Sequence, residues 1–250
     1  MKKLFLTTNS TWNIFNFRNQ LINKFLNENF KIIICAPPDE FKQKLDLDKV
    51  IYIPINFDRK SYNFFFNFKI IIIYLFYFFK IKPDYLLTFT IKPNIFASIA
   101  AIIFFKKIKV FNFITGLGTF YLKKSIFKKL IIILYKLAFL NSKKIFFQNE
   151  YDLNYFLKNK IVSKHKCSII PGSGVDMKIF KYSIIANKEN QRFNFLCVSR
   201  LIKDKGIIEY IEAAKLIKKK YPKSNFTLIG SVDTDNQSKI AREYILNNLD

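Results

Sequence analysis

Arg200 and Lys205 stand five residues apart in the octet Ser199-Arg-Leu-Ile-Lys-Asp-Lys-Gly206. Arginine can fork two oxygens of one anionic group while lysine adds a mobile point charge, so the pair suits a diphosphate. The run before them, Phe193 to Val198, is almost wholly apolar or aromatic and reads as a buried strand. After Gly206 the apolar positions fall at Ile207, Tyr210, Ile211, Ala214 and Ile217, which is helical spacing. A strand that feeds a helix through a glycine-closed turn directs backbone N–H groups and the positive end of the helix dipole at one spot. Taken alone, the octet also reads as an ordinary strand-to-helix turn with two solvated cations.

Other apolar runs end in small polar residues and glycines. Thr8 to Asn13 follows the first run, Thr88 to Asn94 closes the fourth, and Ile114 to Thr119 the fifth. Gln148-Asn149-Glu150 and Pro171-Gly172-Ser173-Gly174-Val175-Asp176 follow the sixth and seventh. Ligands of open parallel sheets bind outside the carboxyl ends of the strands. Polar residues gathered at that end predict one concave site facing the 200–206 loop.

Several chemistries are excluded. Gly116-x-Gly118 and Gly172-x-Gly174 would each need a third glycine where Tyr121 and Met177 stand, so neither completes a dinucleotide fingerprint. No Walker-type loop exists, since Lys205-Gly206 has the order reversed. The single histidine, His165, lies in the polar Ser-Lys-His-Lys stretch, which removes Ser-His-Asp hydrolysis and His-ligated metal chemistry. Paired carboxylates of the glycosidase kind stay open. Most of the 18 acidic residues fall in surface patterns, however, as Asp46, Asp48 and Glu212 do.

The elements that would position these residues alternate. Strands are expected at Lys3–Thr7, Lys31–Cys35, Val50–Ile53, Tyr85–Phe89, Lys109–Phe113, Ile145–Phe147 and Cys167–Ile170. Helices are expected at Ile14–Asn27 (with Phe17, Leu21, Ile22 and Phe25 inward), Asn94–Phe105, Ile126–Leu140 and Tyr151–Leu157. The Ile126–Leu140 helix is made basic on one face by Lys123, Lys124, Lys128 and Lys129. Continuous apolar strands alternating with helices predict an α/β fold with a doubly wound parallel sheet over residues 1–180. Residues 181–192, polar and unpatterned, read as a linker. A second αβ unit then occupies 193–250, with Asn225–Ile229 as its next strand and a helix after Ser231–Gln237.

The chain of 250 residues is 50% hydrophobic and 18% aromatic, ample for a core. Its net charge of +24 would suit nucleic acid or an anionic membrane. Lysine rises together with Ile, Phe and Asn in A/T-rich genomes, so composition accounts for part of that charge. Membrane proximity is favoured over nucleic acid, and no nucleic-acid partner is expected. Cys35, Cys167 and Cys197 lie far apart in apolar runs and read as buried, reduced thiols of a cytoplasmic protein. Tyr62 to Ile81 is long enough to span a bilayer, but Asn67 and Lys69 would sit inside the hydrocarbon. A helix half buried on the sheet and half resting on lipid fits better.

Thr-Ile-Lys-Pro-Asn at 90–94, Ile-Thr-Gly-Leu-Gly at 114–118, Phe-Gln-Asn-Glu at 147–150 and Ile-Pro-Gly-Ser-Gly-Val-Asp at 170–176 join the octet in one resemblance. So do Asn9-Ser10, Asn16-Phe17-Arg18 and Pro37-x-Asp39. The chain resembles the retaining family 4 glycosyltransferases over nearly its whole length. The likeness is to the bacterial branch that builds capsule, O-antigen and N-glycan on polyprenyl-diphosphate carriers. The resemblance implies a GT-B fold, two Rossmann-like domains facing across a cleft. It implies that Arg200 and Lys205 hold the donor diphosphate, with Gly174 near the interdomain crossing. Asn9, Ser10, Arg18, Lys92, Asn94, Thr115, Gly116 and Gly118 would line the acceptor side, with Asn149 and Glu150 beside them. The donor would be a UDP-linked hexose or N-acetylhexosamine and the acceptor a lipid-linked saccharide. Neither metal nor cofactor is expected, and the enzyme would sit peripherally on the inner face of the plasma membrane.

Many relatives place a histidine after the fifth strand where Thr115-Gly116 stands here, so no catalytic residue is assigned. The family's second domain also runs well over a hundred residues further and carries paired glutamates for the donor. About sixty residues after the linker are too few to bury a Rossmann sheet. A truncated product, or completion by a partner chain, is therefore expected, with no turnover by the chain alone. A non-catalytic acceptor-binding subunit and an integral membrane protein spanning at 62–81 are the competing readings.

Overall fold

The computed structural model describes residues 1–56, 64–104, 107–117, 126–182, 193–232 and 238–248. They divide into two compact units, 1–181 and 182–250. The predicted linker core at 183–192, Gly118, Lys123 and Lys124 lie outside the described residues.

Seven strands form the sheet of the first unit: β1 Lys3–Thr7, β2 Lys31–Ala36, β3 Val50–Pro54, β4 Tyr85–Phe89, β5 Lys109–Ile114, β6 Ser142–Phe147 and β7 Cys167–Ile169. Their order is β3-β2-β1-β4-β5-β6-β7 and every pairing is parallel. The helices are α1 Thr11–Phe17, α2 Asn19–Asn27, α3 Phe64–Ile81, α4 Ile91–Ile102, α5 Ile126–Ala138 and α6 Glu150–Lys158. This is the expected α/β, Rossmann-like sheet. Its strand order reverses between β1 and β4, which makes that gap the topological switch point.

Alternation along each strand sorts side chains into two cores. Phe5, Ile33, Cys35 and Leu86 face a layer containing Ile70, Tyr74 and Phe78 of α3, Ala97 and Ala100 of α4, and Ile131 and Tyr135 of α5. Leu4, Leu6, Ile32, Ile34, Leu87 and Phe89 face Ile14 and Ile22 on the other side. Burial on both faces is why these strands read as unbroken apolar runs.

A polar network crosses the first of these layers. The Thr88 hydroxyl donates to Asn94 Oδ1 at 2.5 Å, and Asn94 Nδ2 donates to the Phe113 carbonyl at 2.9 Å. Asn112 Nδ2 reaches Thr88 Oγ1 at 2.7 Å and Ser98 Oγ at 2.8 Å, while Ser142 Oγ donates to Asn112 Oδ1 at 2.6 Å. All five side chains are buried. Buried polar groups stay in place when each finds a partner, and here they lock α4 onto β4, β5 and β6.

Four expectations are corrected. The helix expected at Ile14–Asn27 begins earlier and breaks. Ser10 caps α1 by accepting the Asn13 N–H at 3.1 Å, and Asp39 accepts the Trp12 N–H at 2.9 Å and the Thr11 hydroxyl. The backbone leaves the helix at Arg18 (φ −124°, ψ −7°), and Phe17 turns outward against Trp12. The helix expected from Asn94 starts at Ile91, because Pro93 in a first turn needs no intrahelical N–H. Of the cysteines only Cys35 is buried; Cys167 and Cys197 are half-exposed, one on the edge strand β7 and the other in a two-stranded sheet.

The fourth correction concerns the second unit. It pairs β8 Asn194–Val198 with β9 Asn225–Ile229 in parallel and adds α7 Ile207–Lys220 and a short α8, Arg242–Leu246. Cys197 and Leu228 pack toward a small cluster of Leu201, Ile207, Ile211, Ile240 and Ile245. Leu196, Val198 and Ile229 are each more than half exposed. The strand expected to be buried is thus covered on one face, where α7 and α8 supply the cluster and Leu196, Val198 and Ile229 point away from it. No described helix is long and apolar enough to cross a membrane.

Candidate functional site

All seven strands of the first unit run the same way, so the predicted polar segments do emerge along one edge of the sheet. At the switch point, Thr8 follows β1 and Thr90 follows β4. Thr90 has φ 68° and ψ 166°, a region that side chains other than glycine rarely enter. The Asn94 N–H donates to its carbonyl at 3.0 Å and helps hold it there. Strain of this kind, about 1–3 kcal/mol, persists where surrounding structure over-determines it and gathers at functional positions.

Arg18, at the α1–α2 break, folds inward over the same edge. Its guanidinium carbon sits 4.1 Å from the centroid of the Phe89 ring, at the end of β4. Phe89 stacks on Phe113 at 4.5 Å, and Phe113 on Phe146 at 4.8 Å. Arg18 Nη1 donates to Ser173 Oγ at 3.1 Å, and Gln148 Nε2 donates to the same hydroxyl at 3.2 Å. One guanidinium therefore ties the segment after β1 to the end of β4 and to the loop after β7, whose Ser173 hydroxyl also meets Gln148 from the loop after β6. Arg18 is 5% exposed, and burial alone lowers its pKa from the ordinary guanidinium range to about 10. The Gln20 side chain hydrogen-bonds Asp176 in the loop after β7, which holds that carboxyl below its ordinary range.

Around this gathering the other expected residues divide. Asn9, Lys92, Thr115 and Gly116 are half-buried at the carboxyl ends of β1, β4 and β5. Ser10 is buried as the α1 cap. Asn94 is 1% exposed, with its amide committed to the network; it supports the site from behind rather than lining it. Asn149 caps α6 by accepting the Asp152 N–H at 2.7 Å, and Glu150 is exposed in that helix's first turn. Gly174 is exposed in the loop after β7.

The second unit carries the cationic turn. Arg200 and Lys205 are both exposed between β8 and α7, while Leu201 and Ile202 are buried and anchor the loop. Gly206 takes a left-handed conformation (φ 69°) that ends the turn and starts α7, whose amino end receives no side-chain cap. Lys203 N–H donates to the Ser238 carbonyl at 2.8 Å, and Ser238 Oγ to Asp204 Oδ2 at 2.9 Å. Gly230, after β9, is a residue the sequence reading missed. A Cβ there would stand 1.8 Å from the Ser199 carbonyl oxygen, so only glycine lets the strand end press against the octet.

Residues 3–149 match the family model described as glycosyl transferase 4-like. The chain belongs to that family. No curated protein sequence matches it. Among solved structures, a glycosyltransferase from Rickettsia africae is similar at TM-score 0.63 and 15% identity, over 99% of this chain and 65% of that one. Sucrose-phosphate synthase from Thermosynechococcus elongatus is similar at TM-score 0.69 and 13% identity, over 99% and 67%. UDP-GlcNAc 2-epimerase from Neisseria meningitidis, solved with UDP-GlcNAc bound, is similar at TM-score 0.60 and 19% identity, over 100% and 69%. These likenesses establish the fold. This member of the glycosyl transferase 4-like family spans about two thirds of the length of those three structures.

Proposed function

We propose that this chain is a retaining, metal-independent glycosyltransferase. It would move a hexose or N-acetylhexosamine from a UDP-sugar to a saccharide carried on a polyprenyl diphosphate, in cell-surface polysaccharide or glycan assembly. Family membership supports the reaction class. The observation that carries the reading to this chain's own residues is the exposed Arg200–Lys205 turn at the uncapped amino end of α7.

In the reaction an acceptor hydroxyl attacks the anomeric carbon. A glycosidic C–O bond forms, the bond to the donor phosphate breaks, and the nucleoside diphosphate leaves with that electron pair. The hydroxyl proton is released. Negative charge therefore grows on the departing diphosphate, where two fixed cations and the α7 N–H groups stabilise it. The first unit would take the acceptor along its polar edge.

Acceptors of this kind are membrane-borne, and the outer face of α3, α4 and α5 supports a peripheral place on the inner face of the plasma membrane. Phe68, Ile72, Phe76 and Phe79 of α3 are each more than half exposed, as are Ile103 and, on α5, Ile133. Lys69, Lys80, Lys129 and Lys136 are exposed on the same helices, and none of the three helices contains a carboxylate. Such a face suits anionic lipid.

Calorimetric titration of UDP into the full chain tests the donor assignment. Arg200→Ala and Lys205→Ala should each weaken binding by about 1.5–3 kcal/mol, the worth of a hydrogen bond to a charged group. Affinity that is the same in both variants as in the parent chain would refute it.

A further inference from the structure

Among the described residues Arg18 is the only cationic side chain less than a tenth exposed, and no carboxylate pairs with it. A buried guanidinium normally comes with an anion, because its lost hydration is otherwise uncompensated. The Phe89 face and one neutral hydroxyl supply only part of that compensation. Arg18 Nε is buried and donates to nothing.

The hydroxyls of Thr8 and Thr90 are also buried without a partner, and so is Asn13 Oδ1 in the first turn of α1. Thr8 and Thr90 follow β1 and β4, the two strands at the switch point, and Arg18 lies on the last residue of β4. Native proteins leave few buried polar groups unsatisfied, so four of them on the segments that follow the two switch-point strands call for an explanation. They are three donors with no acceptor, one of them cationic, and a single acceptor. That set is complementary to a group bearing several anionic oxygens, with a hydroxyl nearby for Asn13.

We infer that Arg18 is the receptor for the phosphate or diphosphate of the acceptor, with the Ser173 hydroxyl holding the guanidinium until the anion arrives. The Thr8 and Thr90 hydroxyls complete the cradle. This rests on the glycosyltransferase reading for the molecule that carries the anion, but not for the anion site itself.

The test is calorimetric titration of inorganic pyrophosphate, farnesyl diphosphate and UDP into the full chain, into Arg18→Met and into Arg18→Lys, with thermal unfolding of each. Arg18→Met should weaken pyrophosphate and farnesyl diphosphate about ten- to a hundredfold. Arg18→Lys should weaken them less, keeping the charge and losing the fork. UDP affinity should not change. The melting temperature of Arg18→Met should hold or rise, because an unpaired buried charge is replaced by an apolar chain of similar length. Equal pyrophosphate affinity in parent and Arg18→Met would overturn the inference and leave Arg18 a structural residue. A loss confined to UDP would assign it to the donor, and a loss confined to free pyrophosphate would remove the lipid-borne ligand; either overturns it. Should Arg18→Met fail to fold, the Arg18 Nε–H resonance of the parent chain decides, an unmoved signal under pyrophosphate being fatal. A chain that binds no UDP yet loses pyrophosphate on Arg18→Met keeps the anion site and loses the transferase reading.

Discussion

At the scale of single residues the first unit stores free energy where the ligand is expected. Thr90 combines φ 68° with a buried, unpartnered hydroxyl, and both features are unfavourable in the folded chain. Thr90→Gly should remove both and stabilise the fold by about 1 kcal/mol, less than the full strain because glycine also loses more backbone entropy on folding. Urea denaturation of the two chains measures this, and a destabilised variant would mean the conformation is not strained. The same variant should bind pyrophosphate more weakly, since one donor is gone. Neither Thr90 nor Arg18 announces its state in the sequence. Asn16-Phe17-Arg18 is legible only as part of a resemblance, and the inward fold of Arg18 depends on Phe89, 71 positions on. Gly230 was open to a closer reading, as a glycine directly after an apolar strand signals a close backbone approach.

Among the elements, α4 is held by side-chain chemistry as well as by apolar contact. Asn112 stands in the middle of a strand, between Phe111 and Phe113, and serves Thr88, Ser98 and Ser142 together. Asn112→Leu should cost about 2–4 kcal/mol, because the Ser98 and Ser142 hydroxyls lose a partner while staying buried. A loss below about 1 kcal/mol in urea would show that the serines find other partners. Seven strands of the first unit were legible within a few residues, and in β1, β2 and β4 both-face burial is what writes an unbroken apolar run. The same rule misread β8, whose run is equally apolar but is covered on one face only. Helix starts were less legible, being set by remote partners: Asp39 fixes the start of α1 from the loop after β2.

For the whole molecule the question is what a net charge of +24 does beside an exposed apolar layer. Charge alone attracts a protein to anionic vesicles reversibly, and the attraction fades as the screening length falls from ~10 Å at about 0.1 M salt to ~3 Å at about 1 M. Apolar insertion does not fade in that way. The α3 face offers Phe76 at 59% exposure and Phe79 at 72%, with Lys80 beside them. Binding to phosphatidylserine-containing vesicles should therefore fall with salt to a residual level, and the double variant Phe76→Ser, Phe79→Ser should abolish that residual. Phosphatidylcholine vesicles should hold only the residual part. Sedimentation of the chain with each vesicle separates the contributions. Binding that salt removes completely, with the phenylalanines present, would leave the α3 face outside the lipid and make the attraction one of charge alone.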